Sequence, residues 1–65
     1  MTIIEAIKSG RAFKRKSDKR KAAWIIARPH RLYTNEIQCC WERTDLPVTF
    51  ETTDILADDW IVREE

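Results

Sequence analysis

The segment Thr2-Ile3-Ile4-Glu5-Ala6-Ile7-Lys8-Ser9-Gly10 decides how the rest of the chain must fold. It carries the marks of a short helix. Thr2 and Glu5 stand at the spacing of a capping box, in which the hydroxyl and the carboxylate each accept from an orphan backbone N–H. Ile3, Ile4 and Ile7 fall on one face at helical spacing. Lys8 lies in the last turn, where the helix dipole favours a cation. Gly10 supplies the left-handed residue that stops the helix. So short a helix does not persist alone in water. Its isoleucine face must dock on something, and the following residues offer a sheet.

Arg11 to Lys16 alternates in part, with Ala12 or Phe13 turned inward, and Ser17-Asp18 marks a turn. Ala22-Ala23-Trp24-Ile25-Ile26-Ala27 is an apolar run of strand length that ends before Pro29. Arg31-Leu32-Tyr33-Thr34 reads as a third strand, with Asn35-Glu36 as a hairpin turn. Ile37 to Arg43 reads as a fourth, placing Ile37, Cys39 and Trp41 on one face. After the turn Thr44-Asp45-Leu46-Pro47, Val48-Thr49-Phe50-Glu51 reads as a fifth. Thr52 or Thr53 can cap a second helical turn, with Ile55, Leu56 and Ala57 as its buried side, and Asp58-Asp59 ends it. Trp60-Ile61-Val62 returns as a last strand. Short strands joined by turns indicate an antiparallel meander. The expectation is one α+β domain over residues 1–65, a short N-terminal helix on a small antiparallel sheet.

Sixty-five residues with three Trp, one Gly and two Pro suit one small domain rather than a linker or low-complexity chain. A domain this short buries only about 60% of its unfolded surface, so a second chain would help it. The longest uncharged stretch is Ala22 to Ala27, far short of the roughly 20 apolar residues that span a bilayer. The start lacks the apolar core of a signal peptide. Cys39 and Cys40 are adjacent and have no other Cys to pair with, which suits a reducing, cytosolic setting. With His30 alone beside them they make too few ligands for a metal. Catalytic motifs are missing too: no HExxH, no Gly-rich phosphate loop and no Ser/His/Asp set united by spacing. The chain reads as a binding protein without a cofactor.

Charge is the strongest functional signal. Residues 1–32 hold ten Lys/Arg against two acids, and residues 33–65 hold two against nine, giving halves of +8 and −7. Such asymmetry points to a charged partner, to self-association of opposite faces, or to two halves that neutralise each other locally. Residues 11–21 alone hold seven Lys/Arg. Such a run attracts phosphate and weakens its hold as salt rises; on an exposed edge strand the same residues merely block unwanted pairing. Phe13 and Trp24 flank the run, and aromatics among bases can stack on nucleobases. Trp60 beside Asp58-Asp59 offers a ring next to carboxylate acceptors.

Two stretches resemble a family of small bacteriophage proteins. The opening Thr2 to Gly10 with Phe13-Lys14-Arg15-Lys16 resembles that family's helix leading into a basic strand. The ending Thr53-Asp54-Ile55-Leu56-Ala57-Asp58-Asp59-Trp60-Ile61-Val62 resembles its closing box. The family is the group of second-type Thoeris anti-defence proteins and their phage relatives, sponges that trap cyclic nucleotide signals in pockets between subunits of a homo-oligomer. Where the family often has Gly-Trp after the basic strand, this chain has Ser17-Asp18. The resemblance implies a helix packed on an antiparallel sheet, a homo-oligomer and a host-cytoplasmic setting. The expected ligand is an anionic cyclic nucleotide, with Arg11, Lys14, Arg15 and Lys16 on its phosphate, Trp60 or Trp24 on a base, and Asp59 accepting from it. Two other readings remain open: an inhibitor that docks on a host protein, and a nucleic-acid-binding accessory protein. None involves a membrane.

Overall fold

The computed structural model describes residues 1–20, 23–33 and 35–64. Among them run α1 (Ile3–Lys8), β1 (Phe13–Arg15), β2 (Ile25–Pro29), β3 (Ile37–Trp41), α2 (Thr52–Leu56) and β4 (Trp60–Val62). The sheet order is β3-β2-β1-β4, and every neighbouring pair is antiparallel. The meander holds through β1, β2 and β3; β4 then returns to the free side of β1, the spatial order of a Greek key. The small α+β fold is therefore the one the sequence indicates. No helix among the described residues is long and apolar enough to cross a membrane.

The capping box at Thr2 and Glu5 forms as read, with Glu5 N–H donating to the Thr2 hydroxyl and Thr2 N–H to the Glu5 carboxylate at 3.0 Å. The Thr2 hydrogen bonds also hold the Glu5 carboxyl below its usual pKa. Gly10 stops α1 at φ +73°. Ile3 and Ala6 are buried and Ile7 half-buried, whereas Ile4 is 61% exposed. At a helical period of 3.6 residues, Ala6 is the neighbour that shares the docking face, and Ile4 turns outward.

Register fixes what each strand presents. Phe13 pairs with Ile25 and Val62, Ile25 with Trp41, and Arg15 with Trp60. These side chains share the face that α1 covers; Lys14, Ile26, Arg28, Gln38 and Ile61 take the other by alternation. Phe13 is fully buried, and its ring meets Trp60 edge-on at 5.7 Å. Phe50 meets the same indole from another side at 5.9 Å. Ile3, Ala6, Phe13, Ile25 and Trp60 form the core. Trp60 is anchored further, because its Nε1–H donates to the Asp54 carbonyl at 3.0 Å and its backbone N–H to Met1. The N-terminal amine donates to the carbonyls of Asp58 and Trp60. The two ends of the chain are thus fastened together beneath α1.

Several elements differ from their sequence reading. The strand expected at Arg31 to Thr34 is instead loop over Arg31–Tyr33, and Thr34 lies outside the described residues. Pro29 is the last residue of β2, pairing with Ile37, so the hairpin loop is longer than the pair Asn35-Glu36. A ring nitrogen of His30 holds that loop, with Nδ1 accepting from the N–H of Leu32 and Tyr33. The strand expected at Val48 to Glu51 is reduced to one bridge, Cys40 to Pro47, though Val48 and Phe50 do pack on the core as a pair. The start of β1 moves to Phe13, and β3 ends at Trp41. Glu51, not Thr52 or Thr53, caps α2, with its N–H donating to Asp54 Oδ2 at 3.0 Å. Ile55 and Leu56 are exposed, and Ala57 alone of the expected trio packs on the core. Ala22, the first residue of the apolar run, and Lys21 of the basic run lie outside the described residues.

Phe13→Ala removes the central ring of a core with few others, so it should cost about 3–5 kcal/mol. Ile4→Ala should change stability by less than about 0.5 kcal/mol. Urea denaturation followed by circular dichroism measures both, and equal losses would contradict the assignment of the docking face.

Candidate functional site

β1 ends in Arg15, and its guanidinium is claimed from the acidic half of the chain. Nη1–H donates to Asp54 Oδ1 at 2.9 Å, Nε–H donates to Asp59 Oδ1, and the cation lies 5.8 Å from the centre of the Trp60 ring. The Asp59 hydrogen bond, ahead of every other cause, raises the Arg15 pKa and lowers that of Asp59. Backbone pairing follows the same line, with Lys16 N–H donating to the Asp59 carbonyl at 2.9 Å. The closing box is therefore locked onto the basic strand.

That lock engages two of the expected site residues. Trp60 is only 2% exposed and fills the core, while also lining the cleft described below. Asp59 already accepts from Arg15 and has that cation as its occupant. Trp24 is half-buried with Lys14 Nζ at 5.1 Å and Arg63 at 5.8 Å from its ring centre, so cations of the chain itself sit on it. Arg63 also grips Glu42 with both terminal nitrogens at 2.6 Å, which lowers the Glu42 pKa. Arg11 and Lys16 are exposed and carry no ion pair among the described residues.

Lys14 and Arg15 do come together in a cleft of about 210 Å³, with Asp18, Arg20, Trp41 and Phe50 among its walls. The loop after β1 builds one side. Asp18 accepts from Arg20 three times, through the backbone N–H at 3.0 Å and the guanidinium at 3.0 and 2.7 Å. Lys14 Nζ donates to the Arg20 carbonyl at 3.2 Å. This curl lays the Arg20 guanidinium 5.4 Å from the centre of the Trp41 ring. A second hollow is lined by the same Arg20 with Ala23, Trp41, Arg43 and Thr44. Trp41 is half-buried, whereas the Arg20 side chain is 70% exposed. Arg20 is an exposed cover on an aromatic ring shared by two hollows.

Trp41 was not an expected site residue, and Arg20 counted only as one base of the basic run. Trp41 stood in a strand as core, and only the tertiary fold brings it against Arg20. The one signal available was Asp18 with Arg20, a carboxylate and a guanidinium two residues apart in a turn.

The wider charge asymmetry is resolved in the same way. Arg15 pairs with Asp54 and Asp59, and Arg28 and Arg31 pair with Asp45, so the basic and acidic halves meet in part within one chain. Cys40 is buried and Cys39 half-buried, and burial pushes the Cys39 thiol up. Among the described residues no group of three or more His, Cys, Asp or Glu could hold a metal. Comparison with protein-family models, with curated proteins and with solved structures found no match.

The carboxylates predict how stability follows pH. Arg20 lowers the Asp18 pKa from 3.8 to about 2, and Arg15 lowers that of Asp59. Unfolding returns both groups to ordinary values, so below about pH 4 the unfolded chain takes up more protons than the folded one. The stability these groups supply is complete above that range and is lost as pH falls, for Asp18 through to about 2. Urea midpoints between neutral and acid pH should show this decline, and Asp18→Asn should flatten its acid end. An unchanged slope in the variant would contradict the assignment.

Proposed function

We propose that the chain is a phage-encoded anti-defence protein that sequesters an anionic nucleotide, of the cyclic-nucleotide class, in the host cytoplasm. The observation that carries this reading is Arg20 lying across Trp41 between two hollows. A guanidinium on an indole marks a ring face able to take a flat, electron-poor partner. A nucleobase can replace it there, and the displaced Arg20 is then free for phosphate, with Lys14 and Arg43 nearby in the two hollows. The resemblance of both chain ends to the second-type Thoeris anti-defence proteins supports the same ligand class. Trp41 stands in for the aromatic that this chain lacks after its basic strand.

The cleft's size bears on assembly. About 210 Å³ is less than the roughly 300–1,000 Å³ that encloses a drug-sized ligand. A single chain therefore offers room for one base or one phosphate, and a homo-oligomer supplies the rest of the wall. The exposed Leu32, Tyr33 and Ile37 around the β2–β3 loop favour a second reading, in which the chain blocks a host protein by docking on it.

Calorimetry against a panel of cyclic nucleotides tests the proposal. Saturable heat from one member is expected, without turnover of it. Trp41→Ala should weaken binding by about tenfold or more, the worth of one stacked base. Arg20→Ala, at an exposed position, should weaken it and reduce its dependence on salt. No heat from any member, together with a stoichiometric host protein in a pull-down, would replace this reading with the second.

A further inference from the structure

A different hollow lies on the sheet face away from α1. Arg28 and Gln38 are register partners there, on the opposite side of β2 and β3 from Ile25 and Trp41. With His30, Arg31, Asp45 and Pro47 they line a space of about 450 Å³. Two guanidiniums converge in it on a single carboxylate. Arg28 Nη1 lies 2.6 Å from Asp45 Oδ1, and Arg31 Nη2–H donates to Asp45 Oδ2 at 3.2 Å. The carboxylate comes from the turn after β3, where Asp45 holds φ +62°. That left-handed conformation is uncommon for a residue with a side chain, though Asp tolerates it. It turns the residue so that its carboxylate meets both arginines.

A pair of arginines around one carboxylate is the arrangement that also recognises phosphate, whose oxygens accept the same paired N–H donors. His30 adds a further donor. Its Nδ1 accepts from two backbone N–H groups, so the proton of the neutral ring belongs on Nε2. Gln38 brings an amide that can donate or accept. The lining thus holds more donor capacity than one carboxylate uses, and the Asp45 side chain is 43% exposed.

We propose that this hollow is a binding site for the phosphate group of a small molecule, which Asp45 occupies as the chain's own stand-in. A phosphate enters by displacing the Asp45 carboxylate from Arg28 and Arg31. The site lies on the other face of the sheet from the Trp41 cleft, and neither depends on the other.

Titration of the whole chain with inorganic phosphate at low salt, followed by backbone amide NMR, tests the proposal. Asp45→Asn keeps the side-chain shape and the left-handed backbone but removes the competing charge. It should bind phosphate at least about fivefold more tightly than the parent, which is about 1 kcal/mol. The shifts should centre on Arg28, Arg31 and Gln38. Adding Arg28→Gln to that variant should abolish the gain. Asp45→Gly, which adopts this φ without strain, serves if the Asn variant folds poorly. Binding no tighter in either variant would overturn the proposal. So would shifts spread over Lys8, Arg11, Lys16 and Lys19, the pattern of general cation screening.

Discussion

The guanidinium of Arg15, held between Asp54 and Asp59 against the ring of Trp60, is the interaction on which the remaining structure depends. The strands it joins are short. β1 has three residues, and a single register pair, Phe13 with Ile25, ties it to β2. β4 also has three residues and is the last element of the chain. Two such strands have too few ladder hydrogen bonds to define their own pairing, and isolated short pairs are marginal in water. Arg15 fixes the register by charge and geometry at once, because its fork reaches one acid in α2 and another next to β4. An exposed ion pair contributes little. This one is three-quarters covered on the Arg15 side and shares its carboxylates with the segment that seats Trp60. It therefore acts with the core and not beside it.

The same lock decides where function can lie. It engages Asp59 and encloses Trp60, two residues that look like a ligand site in the sequence. What it leaves is a cleft whose mouth is governed by the loop after β1. Arg20 there pairs with Asp18, its neighbour two residues away, and with no carboxylate of the acidic half among the described residues. Arg15 is fixed across the chain to Asp54 and Asp59, whereas the Arg20 ion pair stays within its own loop.

How much was legible in the sequence follows from how local each feature is. The helix α1, its cap and its stop at Gly10 are set by neighbours within one turn, and all three appear as read. β4 was readable because an apolar triplet follows two carboxylates. The outward Ile4, Ile55 and Leu56 were not, because a short helix has more apolar residues than its narrow docking face can cover, and only packing selects among them. Arg31 to Tyr33 has strand composition, yet His30 accepts from the N–H of Leu32 and Tyr33 and draws that segment into a loop. The site was the least legible part. Basic residues mark a cationic region by count alone, but which of them are already paired depends on acids as far as forty-four positions away, as with Arg15 and Asp59. The three Trp illustrate the same limit: composition makes them equivalent, and the fold buries Trp60, covers Trp24 with cations and leaves Trp41 beside the cleft.

The most direct test of the lock is a double-mutant cycle between Arg15 and Asp59. Unfolding free energies of Arg15→Gln, Asp59→Asn and the double variant would be measured in urea at neutral pH and again in high salt. The account requires coupling: the double variant should lose clearly less than the sum of the single losses, and salt should not erase the difference. Strict additivity of the two losses would show that the pair does not hold β1 to β4, and would contradict the account.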